Sequence, residues 1–469
     1  MPIRDPSPSV PEPRADAPGA GVPERGAPAA RPGTVGPATR ALEARAGQVL
    51  WPVQNRMTYY PGAPLAVARA EGSRLWDVEG HQYLDFFGGI LTVSVGHANP
   101  EVAEAVERQL GTVQHTSTLY LNEITVRAAE RIAEIAPGRL TRSFFTSSGS
   151  EANETAILAA RAYTGRSEVI ALRHAYAGRT ATAMSVTAHA PWRLGGVFDG
   201  AIRHVRAPYA YRAPVGLDED RLLDLCVEDL EETIATCTSG KIAAFMAEPI
   251  QGVGGFVVAP KDYFRRIEPV VRAAGGILII DEVQTGWGRT GGRWCGIEHW
   301  GVEPDVMTFA KGIANGFPVG CTIATDEVAE AVQGLTLATF GGNPLAMAAT
   351  LATIEVIEKH DLPANAERQG ARLRARLEDL AAKHPWIGEV RGMGLMQALE
   401  IVVPDGGRTP DPERTAALMA AARRHGLLIG KGGLYGNAVR IAPMLNVSAD
   451  DVDLGAERLG DAAREVASA

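Results

Sequence analysis

The chain is poor in aromatic residues and cysteines, and positive charge is not in excess. Aromatics make up 6% of its 469 residues. They do not alternate with Arg or Lys, as stacking platforms for single-stranded nucleic acid require. The formal net charge is -9, with acids and bases interspersed, so no basic stripe suggests nucleic acid. The four cysteines, Cys226, Cys237, Cys295 and Cys321, lack metal or redox spacing and fit a reduced cytoplasm. No uninterrupted apolar run reaches the roughly 18 residues of a membrane span. The ten histidines show no ligand spacing, so no metal is assigned. What is present is a hydrophobic fraction of 46% in a chain long enough for two domains and a large core.

Residues 1–45 stand apart as a Pro/Ala/Gly-rich tail. Up to about Arg40 it almost lacks large apolar side chains, so it cannot offset its ordering entropy, and disorder is expected. The acids Asp5, Glu12, Asp16 and Glu24 argue against an organelle presequence, and an apolar signal core is missing.

From about Thr141 to Ala310, short apolar runs alternate with helical patterns. Arg142–Thr146, Glu168–Leu172, Ile242–Ala247 and Ile277–Ile280 read as strands; Glu151–Thr164 and Tyr263–Ala274 read as helices. Fully apolar strands between helices predict an α/β fold with a mostly parallel sheet covered on both faces. Ligands of such sheets gather at the carboxyl ends of strands, where Ser147–Ser150, Glu248 and Asp281 fall. After Pro344 the pattern changes to two long helices, Leu345–Lys359 and Pro363–Lys383. Short strands then follow near 387–390, 395–401 and 439–442, with helices over Pro412–His425 and Ser448–Val466. The expected organisation is a large domain over 98–343 and a smaller α+β domain built from 46–97 with 344–469.

Four features bear on the chemistry, and two of them fail on context. Thr146-Ser-Ser-Gly-Ser-Glu-Ala-Asn153 lies between a strand and a helix. Its small residues let backbone N–H groups approach an anion such as phosphate, although the same letters also spell an ordinary helix cap. Gly286-Trp-Gly-Arg-Thr-Gly291 matches a dinucleotide fingerprint in letters, but no helical periodicity follows it, and it comes after a late strand. Gly426–Lys431 is one residue short of a P-loop and lacks its Ser or Thr. The fourth is a pair. Asp281 ends one apolar run, and Lys311 ends another thirty positions later, flanked by Gly312, Gly316 and Pro318. A pyridoxal phosphate enzyme needs this pair: an amine to form a Schiff base with the aldehyde, and a carboxylate to keep the ring nitrogen protonated.

With these residues assembled, the chain resembles a class III aminotransferase, a pyridoxal-phosphate enzyme of fold type I, from about Tyr59 to Leu459. The matching stretches include Ser147–Asn153, Ala247-Glu-Pro-Ile-Gln-Gly252, Asp281–Gly291, Ala310-Lys-Gly312, Thr339–Pro344 and Val439–Pro443. The best match is to the alanine–glyoxylate aminotransferase type 2 branch, through Tyr83–Ile90, Ser94–His97 and His115–Thr118. The resemblance implies that Lys311 and Asp281 are catalytic, that Tyr176 and Val283 cover the two ring faces, and that Gln251 approaches the ring hydroxyl. Gly149 and Ser150 bind the phosphate, with Ser148 and Glu248 also in the cofactor site. Thr339 reaches the phosphate of a neighbouring subunit in a homodimer with active sites at the interface. Arg440 clamps a substrate carboxylate, and Arg179 resembles a second carboxylate-binding position.

Two departures stand out. Ala177 replaces the His that usually follows the stacking aromatic. Val253 replaces the Glu that neutralises the clamping Arg when ω-amino donors bind. A ping-pong transfer from an alanine-like or β-amino acid to a 2-oxo acid such as pyruvate or glyoxylate is therefore expected. The alternatives are a 4-aminobutyrate or other ω-amino acid aminotransferase using 2-oxoglutarate, a racemase or aminomutase on the same scaffold, and a non-enzymatic binding protein.

Overall fold

The computed structural model describes residues 32–33, 35–53, 64–196 and 198–468. Most of the tail, and Tyr59 at the start of the resemblance, lie outside them. The expected disorder over 1–45 does not extend to its end: Pro37–Val49 is a helix. Pro at its first turn and the alanines after it favour that conformation more than a Pro/Ala count suggests. Thr39 docks it, with its N–H and Oγ1 donating to the two Glu79 oxygens at 2.8 and 2.6 Å.

A seven-stranded sheet forms the centre. Its strands in chain order are β1 (Arg142–Thr146), β2 (Val169–Leu172), β3 (Ile202–Val205), β4 (Ala244–Ala247), β5 (Ile277–Asp281), β6 (Val306–Phe309) and β7 (Gly320–Ala324). The order across the sheet is β1-β7-β6-β5-β4-β2-β3, and β7 alone runs against its neighbours. The pleat divides the core. Ile277 and Ile279 join Ala156, Ile157 and Ala160 of helix α1 (Gly149–Thr164) on one face. Leu278 and Ile280 meet Tyr263, Phe264 and Ile267 of α2 (Tyr263–Ala273) on the other.

Two four-stranded sheets accompany this centre. Ile387–Met393, Met396–Ile401, Ala438–Ile441 and Gly430–Gly432 form an antiparallel sheet in that order. Leu427–Leu428 adds a parallel strand to the meander Val67–Glu71, Arg74–Asp77, Gln82–Asp85, which ties two segments distant in sequence together. The helix Pro344–Lys359 packs on Pro100–Leu110, on Glu123–Ile135 and on the turn that follows Lys311. Among the described residues no helix is long and apolar enough to cross a membrane.

Candidate active site

Two neighbouring parallel strands bring the Asp–Lys pair together. Asp281 ends β5 in register with Thr308 of β6, and Lys311 comes three residues later. There the chain leaves the strand with φ of 47°, a left-handed conformation uncommon for a residue with a side chain and frequent at functional sites. The turn Lys311–Ala314 begins at that point.

Asp281 is fixed on both oxygens. Oδ1 accepts from the Val283 N–H at 3.0 Å and Oδ2 from Asn153 Nδ2 at 2.8 Å. Asn153 is fixed in turn. It donates to the Ala177 carbonyl at 2.8 Å, and its Oδ1 accepts from Thr308 Oγ1 at 2.7 Å. Burial pushes the Asp281 carboxyl up, against the lowering effect of these N–H groups and of Lys311. Glu248, also buried, is pushed up by desolvation and by Asp281. Burial pulls the Lys311 amine down and Arg440 pulls the same way, against the two acids. A lysine lowered in this manner is suited to proton transfer.

The serine loop is a helix cap, and it also borders the cavity. Ser148 caps α1: its Oγ accepts from the Glu151 N–H at 3.3 Å and donates to Glu151 Oε2 at 2.9 Å. The first-turn amides of Gly149 and Ser150, which have no acceptor within a helix, open at the cavity wall. Ser150 Oγ accepts from the Arg179 N–H at 3.1 Å. Gly178 lies so close that a Cβ on it would stand 2.4 Å from Ser150 Oγ, and its φ is +138°.

These groups line one cavity of about 300 Å³. Lys311, Asp281, Glu248, Tyr176, Val283, Ser148, Gly149 and Ser150 all reach it, and so do Asn153 and Gln284. The Tyr176 ring is braced edge-on by Trp192, with centroids 5.5 Å apart. Ala177, at the departure from the usual His, donates its N–H to Thr187 Oγ1 at 3.0 Å.

Four expected residues sit elsewhere. Gln251 is not a wall of the cavity: its strand pairs with Val257–Val258, and Nε2 donates to the Arg173 carbonyl at 2.8 Å. The pleat turns that side chain away. Gln284 lines the cavity instead, buried, with an Oε1 that finds no hydrogen-bond partner among the described residues. Thr339 is exposed and outside its own chain's cavity, and so is Arg179. Arg440 is buried next to the site. Its Nε donates to the Lys431 carbonyl at 3.0 Å and its Nη1 to Gly252 O at 3.3 Å, while the guanidinium lies 4.9 Å from the Phe87 ring centre.

Asn153 and Gln284 escaped the sequence reading as site residues. A signal for Asn153 existed: it shares the buried stripe of α1 with Ala156, Ile157 and Ala160, and a polar group there must have a polar partner.

Comparison with known proteins agrees with this geometry. The model of the family described as Aminotransferase class-III matches residues 58–463. An alanine–glyoxylate aminotransferase 2 homologue from Arabidopsis thaliana is 40% identical over 397 residues, 84% of this chain and 82% of the relative. The 5-aminovalerate aminotransferase DavT of Pseudomonas aeruginosa is 38% identical over 411 residues, 86% of this chain and 94% of the relative. An amine transaminase from an uncultivated Pseudomonas species, solved in its PLP-bound form, superposes with a TM-score of 0.82 at 34% identity, covering 87% of this chain and 99% of that one. With a family match across nearly all of the described chain, and with an acid and an amine converging on one cavity, this protein belongs to the class III aminotransferases, with fold type I architecture and pyridoxal 5'-phosphate as its cofactor.

Proposed function

We propose that the enzyme moves an amino group from an alanine-like or β-amino acid to a 2-oxo acid such as pyruvate or glyoxylate, in two half-reactions. The observation that carries this reading is Val253. It is buried in the turn whose Gly252 carbonyl receives Arg440, and it offers that guanidinium no charge. A carboxylate donor can then form the charge-assisted bond there, worth about 1.5–3 kcal/mol, close to the amine to be transferred. The alanine–glyoxylate relative supports the same choice. The relative that acts on 5-aminovalerate favours a second reading, an ω-amino acid donor with 2-oxoglutarate as acceptor.

The residues fit the cofactor. The α1 N-terminus suits its phosphate, Tyr176 and Val283 suit its two ring faces, and Gln284, which lines the cavity where Gln251 does not, suits its hydroxyl. Pyridoxal phosphate, when bound, supplies an aldehyde that takes the donor's amine and a ring that draws electrons from the α-carbon. Asp281, oriented by Asn153, holds an anion against the ring nitrogen. The Lys311 amine, whose pKa burial and Arg440 lower, would move the proton off the donor's α-carbon. Arg440 fixes the donor's carboxylate, which sets the α-carbon within reach of Lys311.

The proposed assembly is a homodimer. Leu119, Tyr120, Leu121, Leu335 and Phe340 are exposed, and the His115–Phe340 ring contact at 5.2 Å joins their two segments into one apolar patch. A second copy covering that patch would bring Thr339 towards its partner's phosphate site. The proposed location is the cytoplasm, where the four unpaired cysteines stay reduced. A panel of donors assayed with pyruvate, glyoxylate and 2-oxoglutarate tests the function. Alanine or a β-amino acid should give the highest kcat/KM, and a clear preference for 4-aminobutyrate with 2-oxoglutarate would overturn it.

A further inference from the structure

One carboxylate of the cavity takes no part in the chemistry above. Glu248 follows β4, and both its oxygens go to backbone amides: Oε1 accepts from the Tyr176 N–H at 3.1 Å and Oε2 from the Gly252 N–H at 2.7 Å. Gly252 is itself a junction. Its carbonyl accepts from Arg440 Nη1 at 3.3 Å. Its α-carbon lies flush on Gln284, where a Cβ would stand 2.3 Å from the side-chain amide carbon and nitrogen. The turn continues to Val253, whose carbonyl accepts from the Gly433 N–H at 2.9 Å, and to Gly255, whose carbonyl accepts from Arg391 Nε at 2.8 Å. The antiparallel sheet that carries Arg440 therefore holds this turn from one side, and Glu248 holds it from the side of the large sheet.

The geometry points to Glu248 as a positioning residue for recognition of the substrate carboxylate. By anchoring the Gly252 N–H, it fixes both the carbonyl that aims Arg440 and the backbone against which Gln284 rests. This rests on the reading of Arg440 as the carboxylate clamp. Each Glu248 oxygen accepts from one backbone N–H, so the side chain serves two donors at once. A glutamine of the same shape turns one oxygen into an NH2 group that faces an N–H, and one of the two amides loses its partner. Aspartate keeps both acceptor oxygens but is one methylene too short to span both amides.

The test uses the holoenzyme and its Glu248→Gln, Glu248→Asp and Arg440→Lys variants. It measures the dissociation constant of propionate, an unreactive carboxylate, from its effect on cofactor absorbance. It also measures the cofactor's own dissociation constant by titrating apo-protein, and the rate of the donor half-reaction at saturating alanine. In both Glu248 variants propionate should weaken about tenfold, the size of one lost charge-assisted hydrogen bond. Propionate affinity should fall by more than cofactor affinity in both variants. Unchanged propionate binding overturns the inference, as does a parallel loss of propionate and cofactor or melting of both variants, since either makes Glu248 merely structural. If Arg440→Lys itself leaves propionate binding unchanged, the clamp reading has failed. If Arg440→Lys weakens propionate and the Glu248 variants do not, only the role of Glu248 has failed.

Discussion

Gly178→Ala is a substitution at the proposed phosphate end of the cavity. Gly178 has φ of +138°, and a Cβ there would stand 2.4 Å from Ser150 Oγ, 2.8 Å from its Cβ and 2.9 Å from its Cα. The neighbour is therefore the first turn of α1 and not only the tip of a flexible side chain, so relief requires moving the backbone amide that faces the anion. Loss of one charge-assisted N–H bond to a phosphate costs about 1.5–3 kcal/mol, a rise in cofactor dissociation constant of about 10- to 150-fold. The strained φ adds about 1–3 kcal/mol to the cost of folding. Gly165→Ala is the control. Gly165 caps the far end of the same helix at φ of +65° with nothing within 4 Å, so it carries backbone strain of about 1–2 kcal/mol without a clash at the site. The assay titrates apo-protein of both variants with pyridoxal phosphate and compares their melting. Both should melt earlier than the parent, and only Gly178→Ala should bind cofactor weakly. Cofactor binding by Gly178→Ala within twofold of the parent would refute the placement of the phosphate at Gly149 and Ser150.

Other perturbations probe the remaining parts. Asp281→Asn should retain cofactor yet lower kcat by about 100-fold or more, since an amide cannot hold the ring nitrogen's proton; near-normal turnover contradicts that role. Val253→Glu places a carboxylate beside Arg440 and should shift kcat/KM from alanine towards 4-aminobutyrate by about tenfold or more; an unmoved ratio sinks the argument from Val253. Burial, with His174 and Arg440 nearby, pulls His189 down to about 4. Its unfolded value is about 6.5, so the unfolded chain binds the extra proton between those values. Its contribution is present above pH 6.5 and is lost as pH falls towards 4, by about 3 kcal/mol at most. His189→Asn should flatten the melting-versus-pH curve in that window, and an identical slope would show that the imidazole takes no part.

How much was legible depended on whether the deciding contacts were local. The strands 142–146 and 277–281 could be read because apolar runs in a two-sided sheet are continuous and end at small or charged residues. Asp281 and Lys311 could be read because each ends such a run. β3 was missed because it is an edge strand with Arg203 and His204 in its middle. β7 was missed because a short connection from Lys311 reverses the chain, and neither its direction nor its place between β1 and β6 is local information. Gln251 and Gln284 lie in similar Gly-rich runs, and only the pairing of Ile250–Gln251 with Val257–Val258 shows which one faces away. The contact between Arg440 and Gly252 spans 188 positions and leaves no trace in periodicity.

The central claim is that the amine of Lys311 is the group that holds the cofactor. Borohydride reduction of the holoenzyme, followed by peptide mapping, tests it directly. The cofactor label should fall on the peptide containing Ala310-Lys311-Gly312 and vanish in Lys311→Ala, with the fold intact by melting. A label that persists in that variant, or that falls on another lysine such as Lys431, would contradict the account.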